Sequence, residues 1–282
     1  MVIYMEGIMI ELPEARIIAR DLKNEILGKT IVDVRGNFTD HKFTYYSEDP
    51  NKYKEYLINK KITSINERNF YVEIEVEDYK IIFRDGANIR YYDNRQDYPE
   101  NSKFFLEFND GSFINVTTSM YCCIAVFDKV KGIDNMYYNF EFERIGAYDK
   151  EFTLSYFNSL INDKTKKLSL KAFLATEQRI LGVGNGIVQD MLFNARMSPR
   201  RKLVTLSESE IEILYNSVIG TIKKMISENG RNTEKTIYNE FGNYKTIMSS
   251  KNFNNGCPLC NGTIKKEQYL GGSVYYCPNC QK

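Results

Sequence analysis

Four of the six cysteines close the chain as Cys257, Cys260, Cys277 and Cys280, in the pattern C-x2-C-x16-C-x2-C. Two short knuckles of this kind bring four thiolates to the corners of a tetrahedron with little strain, the ligand set of a structural Zn2+. Gly256 and Pro258 beside the first pair, and Pro278 inside the second, suit tight turns. With four protein ligands no coordination position stays open, so one structural zinc ion is expected rather than a catalytic one. Between the knuckles, TIKKEQYL and SVYY flank Gly271-Gly272 and read as a two-stranded hairpin with a glycine tip. A chain of 282 residues has core enough to fold without a metal. The ion is therefore expected to hold a small arm in a useful pose. Cys122 and Cys123 are adjacent and lack partner ligands, so they read as small hydrophobic residues; His41, the single histidine, reads as a surface residue.

A second candidate lies in RILGVGNGIVQD, residues 179–190, where Gly182, Gly184 and Gly186 surround Asn185. A glycine-rich turn entering a helix points backbone N–H groups outward, where a phosphate can sit, and Asn185 can add a side-chain amide. A tight helical corner packed on itself accounts for the same residues equally well. A nucleotide-fold fingerprint does not, because no strand precedes the glycines and no acid follows at the required spacing.

The elements that would carry these groups follow from periodicity. ELPEARIIARDLKNEILGK, residues 11–29, predicts a helix with Pro13 in its first turn, Ile17, Ile18, Leu22 and Ile26 as its apolar stripe, and Gly28 at its end. Strand runs follow: TIVDVRG, KFTYY, KITSINE, FYVEIEV, YKIIFRDG, NIRYY and KFFLEFNDGSFINVTT, with turns expected at Asp85-Gly86 and Asp110-Gly111. After residue 145 the period becomes helical in SLKAFLATEQRI, IVQDMLFNARM and SESEIEILYNSVIGTIKKMISENG, the last capped by Ser207 or Ser209. The expected fold class is α+β. An N-terminal helix and β-sandwich or open barrel occupy residues 1–127, a linker 128–145, a helical domain 146–245 and the zinc hairpin 246–282.

Charge divides the chain as well. Residues 151–282 carry 18 Lys and Arg against 11 Asp and Glu, a net of +7, which leaves 20 against 26, a net of −6, for residues 1–150. A basic C-terminal half fits a nucleic-acid partner; chance on a solvated surface fits it too. No run of eighteen apolar residues suggests a membrane span, and the start MVIYMEGIMIELPE lacks the basic region of a signal peptide. A cytoplasmic protein is expected.

Three of these features occur together in one known group. ELPE near the start, KAFLATEQRILGVGNGIVQDMLFNARMSPRR at 171–201 and the terminal CPNCQ resemble the formamidopyrimidine-DNA glycosylase and endonuclease VIII family, and the resemblance runs over nearly the whole chain. It implies a helix–two-turn–helix around the glycine turn and a monomer that binds damaged or distorted double-stranded DNA between two domains. Lys171, the backbone from Gly182 to Gly184, and Asn185 would hold the strand around a lesion. The zinc hairpin, with Gly272 at its tip, would press phosphates from the other side. The family removes damaged bases and cleaves the strand through a Schiff base, formed by an N-terminal proline directly ahead of ELPE.

The chain departs from that pattern at four places. Ile10 stands where the proline belongs, with nine residues before it; Met1 as the start leaves no α-amine there, and Met9 would supply one nearby. Phe70 stands at the family's lysine. TSMYCC, Thr118–Cys123, matches the segment that fills the gap of a flipped base, with Met120 and Tyr121 for its arginines and Cys122 for its aromatic wedge. Gly272 stands at the arginine of the hairpin tip. Met120 or Tyr121 can still serve as a wedge between bases. Glu11 matches the glutamate that assists sugar-ring opening, and Glu14 a second acid. A carboxylate can activate water or steady an oxocarbenium-like charge without an amine; as plain acids at a helix start both would simply answer the dipole. The expectation is a divergent damaged-base glycosylase with weak or absent lyase activity, and the alternative is a DNA-recognition protein that does not cut.

Overall fold

The computed structural model describes residues 10–36, 42–94, 102–133 and 144–282; His41, Met1 and Met9 lie outside them. The described residues fall into two compact units, one of residues 10–133 with 234–242 and one of residues 144–233 with 243–282.

In the first unit, helix α1 (Leu12–Ile26) starts from Glu11, whose backbone is extended, with Pro13 in the first turn. Proline there sacrifices only an N–H that has no helical partner. Ile18, Ala19, Leu22 and Ile26 recur at helical spacing and sink into the core of the sheet. Gly28, at φ +82°, takes the left-handed conformation that lets the chain leave the helix. The strands β1 (Ile31–Gly36), β2 (Thr44–Tyr46), β3 (Ile62–Arg68), β4 (Tyr71–Val76), β5 (Tyr79–Tyr92), β6 (Phe104–Phe108) and β7 (Phe113–Asp128) form one sheet in the order β1-β6-β7-β5-β4-β3, with β2 parallel to β7. A short helix α2 (Tyr53–Leu57) precedes β3. Val34, Leu106 and Val116 share a single core with Val72, Ile74 and Phe83. The expected sandwich or open barrel is built from one curled sheet, in which the long strands β5 and β7 pair with each other.

Asp110-Gly111 is the hairpin turn that joins β6 to β7, with the Gly111 N–H on the Phe108 carbonyl at 2.9 Å. Asp85-Gly86 is not a turn: it lies inside β5. Asp85 pairs with Cys122 and Ala87 with Thr118, so residues 119–121 of β7 face Gly86 alone. The Asp-Gly dipeptide signals a break in regular pairing, and a bulge between long strands satisfies that signal without reversing the chain.

The second unit contains α3 (Leu154–Ser159), α4 (Leu170–Ala175), α5 (Asn185–Asn194), α6 (Glu208–Ser227) and the hairpin β8 (Lys265–Tyr269) and β9 (Gly272–Tyr276). α6 begins in a full capping box: the Ser207 hydroxyl accepts from the Glu210 N–H, and the Glu210 carboxylate accepts from the Ser207 N–H. Such a cap stabilises a helix by about 1 kcal/mol. α4 is shorter than its pattern predicted. The Arg179 guanidinium donates to the Ala172 and Phe173 carbonyls at 3.1 Å and so closes the helix end. Residues 234–242, read from the sequence as part of the helical domain, belong to the first unit, where Ile237 is fully buried and its carbonyl accepts from the Tyr91 N–H at 2.8 Å. No helix among the described residues is long and apolar enough to cross a membrane.

Candidate active site and DNA-contact residues

The start of α1 sets the first group. Ile10 is buried, and its N–H donates to the Asp85 carbonyl at 2.7 Å, which ties the helix entry to the bulged strand β5. Glu11 follows as the N-cap residue, only 7 % exposed, and its carbonyl accepts the first helical bond from Ala15. Glu14, equally buried, lies in the first turn. Both acids therefore sit at the positive end of the α1 dipole. Neighbouring residues brace the helix: Arg16 pairs with Glu67 of β3.

Phe70, at the place of the family's lysine, is buried at the β3–β4 turn beside Asn69, whose φ is +58°. A cation stands over it nonetheless. The Arg84 guanidinium lies 5.0 Å from the ring centroids of both Phe70 and Tyr71, donates to the Tyr71 hydroxyl at 2.8 Å and pairs with Asp85 at 3.1 Å. Nothing in the sequence linked Arg84 to Phe70, because they meet only through the β4–β5 register. Cys122 is buried in the sheet core, and burial pushes its thiol far above the usual range. Burial likewise raises Cys123 to about 12, against the opposing pull of Arg84. Both cysteines are inert at neutral pH, as small hydrophobic residues are. Met120 and Tyr121 fall in the bulge of β7; Tyr121 is 46 % exposed, and only the backbone of Met120 is described.

The second unit brings several expected residues into direct contact. Gly182, at φ +77°, makes the bend between α4 and α5, and its N–H donates to the Gln178 side chain at 3.1 Å. Gly184 is the N-cap of α5, and Asn185 opens the helix. The Asn185 amide donates to the Ser273 carbonyl at 3.1 Å, next to the hairpin tip. A Cβ on Gly272 would stand 3.1 Å from the Asn185 amide nitrogen, so this contact needs glycine or a small retreat of Asn185. Gln189, one turn later on the same helix face, completes the seat: its amide donates to Ser273 O at 3.3 Å, and its carbonyl accepts the Tyr275 N–H at 2.6 Å. Sequence reasoning missed Gln189, although its i+4 spacing from Asn185 was there to be read. Lys171 was expected to face a phosphate. It is 2 % exposed, and its ammonium donates to the Tyr269 carbonyl at 2.6 Å, because α4 packs against the end of β8. Arg200 stacks on the Tyr269 ring at 4.2 Å and pairs with Glu267 at 2.7 Å, a further contact to the hairpin.

The four cysteines converge as their spacing predicted, with all Sγ atoms within 4.8 Å of one another. Cys257 and Cys280 are 3.8 Å apart, and Cys260 and Cys277 3.6 Å. A tetrahedron of Zn–S bonds requires about 3.8 Å between sulfurs, whereas a disulfide requires about 2.0 Å. The donor set therefore fits a single metal ion. A Cβ on Gly262 would lie 3.1 Å from the Cys260 sulfur and 2.6 Å from the Asn279 side-chain amide, so a side chain there requires the Asn279 amide to move and crowds the sulfur. Cys257 and Cys277 pack with Phe193 of α5, Ile264 and Tyr275, so the knuckles and the helix share one small core.

Family models match both units. The formamidopyrimidine-DNA glycosylase N-terminal domain matches residues 9–118, and the H2TH domain of the same family matches residues 145–236, together more than half of the chain. The Bacillus cereus formamidopyrimidine-DNA glycosylase is 26 % identical, over 97 % of this chain and 99 % of its own. The Lactococcus lactis subsp. cremoris enzyme is 25 % identical, over 97 % and 100 %. The fold superposes on the Lactococcus lactis Fpg solved in complex with an abasic site containing DNA, with a TM-score of 0.80 at 22 % identity over 96 % of this chain and 99 % of that one. For the Thermus thermophilus protein the TM-score is 0.77 at 19 % identity, over 96 % and 98 %. With one family matched in both units and its fold shared from end to end, this chain belongs to the formamidopyrimidine-DNA glycosylase family.

Proposed function

We propose that this protein removes a damaged base from double-stranded DNA by hydrolysis, with Glu11 as the acting carboxylate and with little or no strand cleavage through a Schiff base. One observation carries the proposal: the nitrogen at the family's amine position is the Ile10 peptide nitrogen, engaged as a donor to Asp85, while Glu11 stays buried beside it. A peptide nitrogen delocalises its lone pair into the carbonyl and does not attack a sugar carbon. Glu11 retains the other half of the chemistry. Its carboxylate takes a proton from water as the water oxygen bonds to C1′, the C1′–N bond breaks, and the base leaves with that bonding pair and a proton. The carboxylate also stabilises the positive charge that develops on the sugar.

DNA affinity is assigned to the second unit. Asn185, the Gly182–Gly184 backbone and the hairpin around Gly272 form the strand-holding surface, and Lys171 acts by fixing the hairpin through Tyr269. The metal is one structural zinc held by Cys257, Cys260, Cys277 and Cys280; its part is to keep the arm folded. Support comes from the relatives, which are named as glycosylases, and from the fold neighbour solved with abasic-site DNA.

The test is a panel of duplexes carrying an abasic site, 8-oxoguanine, a ring-opened purine or an oxidised pyrimidine, scored for alkali-revealed base release, borohydride trapping and gel-shift binding. Base release without a trapped adduct is expected. A trapped adduct overturns the water mechanism, and peptide mapping would find the amine. Tight lesion binding with neither signal would make the protein a recognition module.

A further inference from the structure

Gln281, next to Cys280, is 3 % exposed, and both ends of its side-chain amide are used inside the second unit. The amide carbonyl accepts the Cys277 N–H at 2.9 Å, and the amide nitrogen donates to the Met197 carbonyl at 2.9 Å. The backbone N–H of Gln281 donates to the Cys277 carbonyl at 2.9 Å. Met197 is itself tied to α5, since its N–H donates to the Leu192 carbonyl at 2.9 Å. Lys282 brackets the same residue: its N–H donates to the Arg196 carbonyl at 3.1 Å, and its carbonyl accepts the Ser198 N–H at 2.9 Å. One side chain thus joins a metal-ligand knuckle to the end of helix α5.

The start of α5 is joined to the same stretch of chain, through Gln189 on Ser273 and Tyr275. A primary amide carries the donor and the acceptor of a peptide group. Gln189 and Gln281 therefore line the edge of β9 that β8 leaves open, much as a neighbouring strand would. A two-stranded hairpin is marginal by itself in water, so this edge decides how the arm is docked. The ten residues of α5 span about 15 Å, and Ser273 to Cys277 spans about 13 Å. The two glutamines thus hold the arm near both ends of the helix. Two attachments fix the direction of a rigid helix, whereas one leaves a pivot. Asn185 opens that helix, and Phe193 near its other end packs with Cys257 and Cys277.

We infer that Gln281 is a positioning residue that couples the metal site to DNA binding. It makes the Cys277–Cys280 knuckle and α5 one rigid piece, so that metal loading sets the pose of Asn185 and Gln189 on β9. Bound DNA in turn tightens the hold on the metal, because coupling between two sites is reciprocal. The inference rests on the reading of this protein as a DNA-binding protein with one zinc ion among its four cysteines. In the test, the full chain loaded with Zn2+ is titrated with a competing chelator, alone and with a saturating duplex that carries a tetrahydrofuran abasic analogue. In the wild type the duplex is expected to raise the zinc affinity about tenfold, within the usual range for coupled sites. Gln281→Ala should weaken zinc binding and bring that factor below about twofold. Gln281→Glu keeps an acceptor for the Cys277 N–H but sets a carboxylate against the Met197 carbonyl. Its zinc affinity without DNA should stay near that of the wild type, and its Co2+-loaded form should keep the thiolate-to-metal absorption, while the coupling is lost. Support of the knuckle alone predicts otherwise: zinc affinity falls equally with and without DNA, and the coupling factor survives in both variants. That result would overturn the inference, as would Gln281→Glu with its coupling intact. Should Gln281→Ala fail to hold metal, Gln281→Glu decides. Failure of the zinc-loaded wild type to bind the duplex removes the underlying reading first, before any variant is made.

Discussion

The two units have kept different things. In the second, Asn185, Gln189 and Lys171 are joined to the hairpin by direct hydrogen bonds, and the four cysteines converge at metal-ligand distances. In the first, Glu11 is buried at its helix start and Ile10 and Phe70 are buried beside it in the same unit, at positions where the family resemblance implies an amine and a lysine. The contacts of the second unit depend on backbone geometry and thiol spacing, whereas the chemistry proposed for the first depends on a single carboxylate. Substituting a clamp residue breaks several bonds at once.

Metal removal should widen this contrast most. Chelation or Cys277→Ser is expected to unfold the hairpin module, since a structural zinc contributes on the order of 10 kcal/mol to a small domain. DNA affinity should fall at least tenfold, while the first unit keeps its strand signal in circular dichroism. A cooperative loss of both units on chelation would erase the distinction. Next in size, Glu11→Gln should slow base release by about 100-fold or more, the usual share of a general base, with duplex binding within about twofold. An unchanged rate would remove Glu11 from the chemistry and the first unit's strongest claim to it.

Gln189→Ala isolates the seat of the hairpin. It leaves the buried Tyr275 N–H without its acceptor and should destabilise the second unit by about 2 kcal/mol, measurable by urea titration. The smallest effect concerns Asp110, in the first unit. Partial burial pushes its carboxyl up, but hydrogen bonds from Lys29 and Ser112 outweigh that and hold it at about 2. A depressed acid contributes stability above its unfolded value of about 4 and loses it as the pH falls from about 4 to about 2. Asp110→Asn should therefore flatten the acid limb of the stability curve in that window and change little at neutral pH, because the group is half exposed. A change of equal size at pH 7 would point to a packing role instead.

Local signals were read well where their cause is local. The cysteine spacing, the choice of Ser207 over Ser209 as cap, and Ile18, Leu22 and Ile26 of the α1 stripe each depend on residues within a few positions, and each is found in place. Lys171 shows the limit. The family resemblance gave it a place on the DNA strand, but which protein group its ammonium meets, here the Tyr269 carbonyl, depends on a residue almost a hundred positions away. Asp85-Gly86 carries a turn signal that the long β5–β7 pairing converts into a bulge.

By its own pattern, then, the chain determined its elements, its metal ligands and the family it resembles, since period, capping and ligand spacing are properties of short segments. Tertiary structure alone decided which distant residues share a surface: Ile10 on Asp85, Arg84 over Phe70, Phe43 against Tyr121, and residues 234–242 within the first unit. The reason is physical. Strand register and bulge position are settled by burial summed over the whole sheet, and no window of the sequence contains that sum.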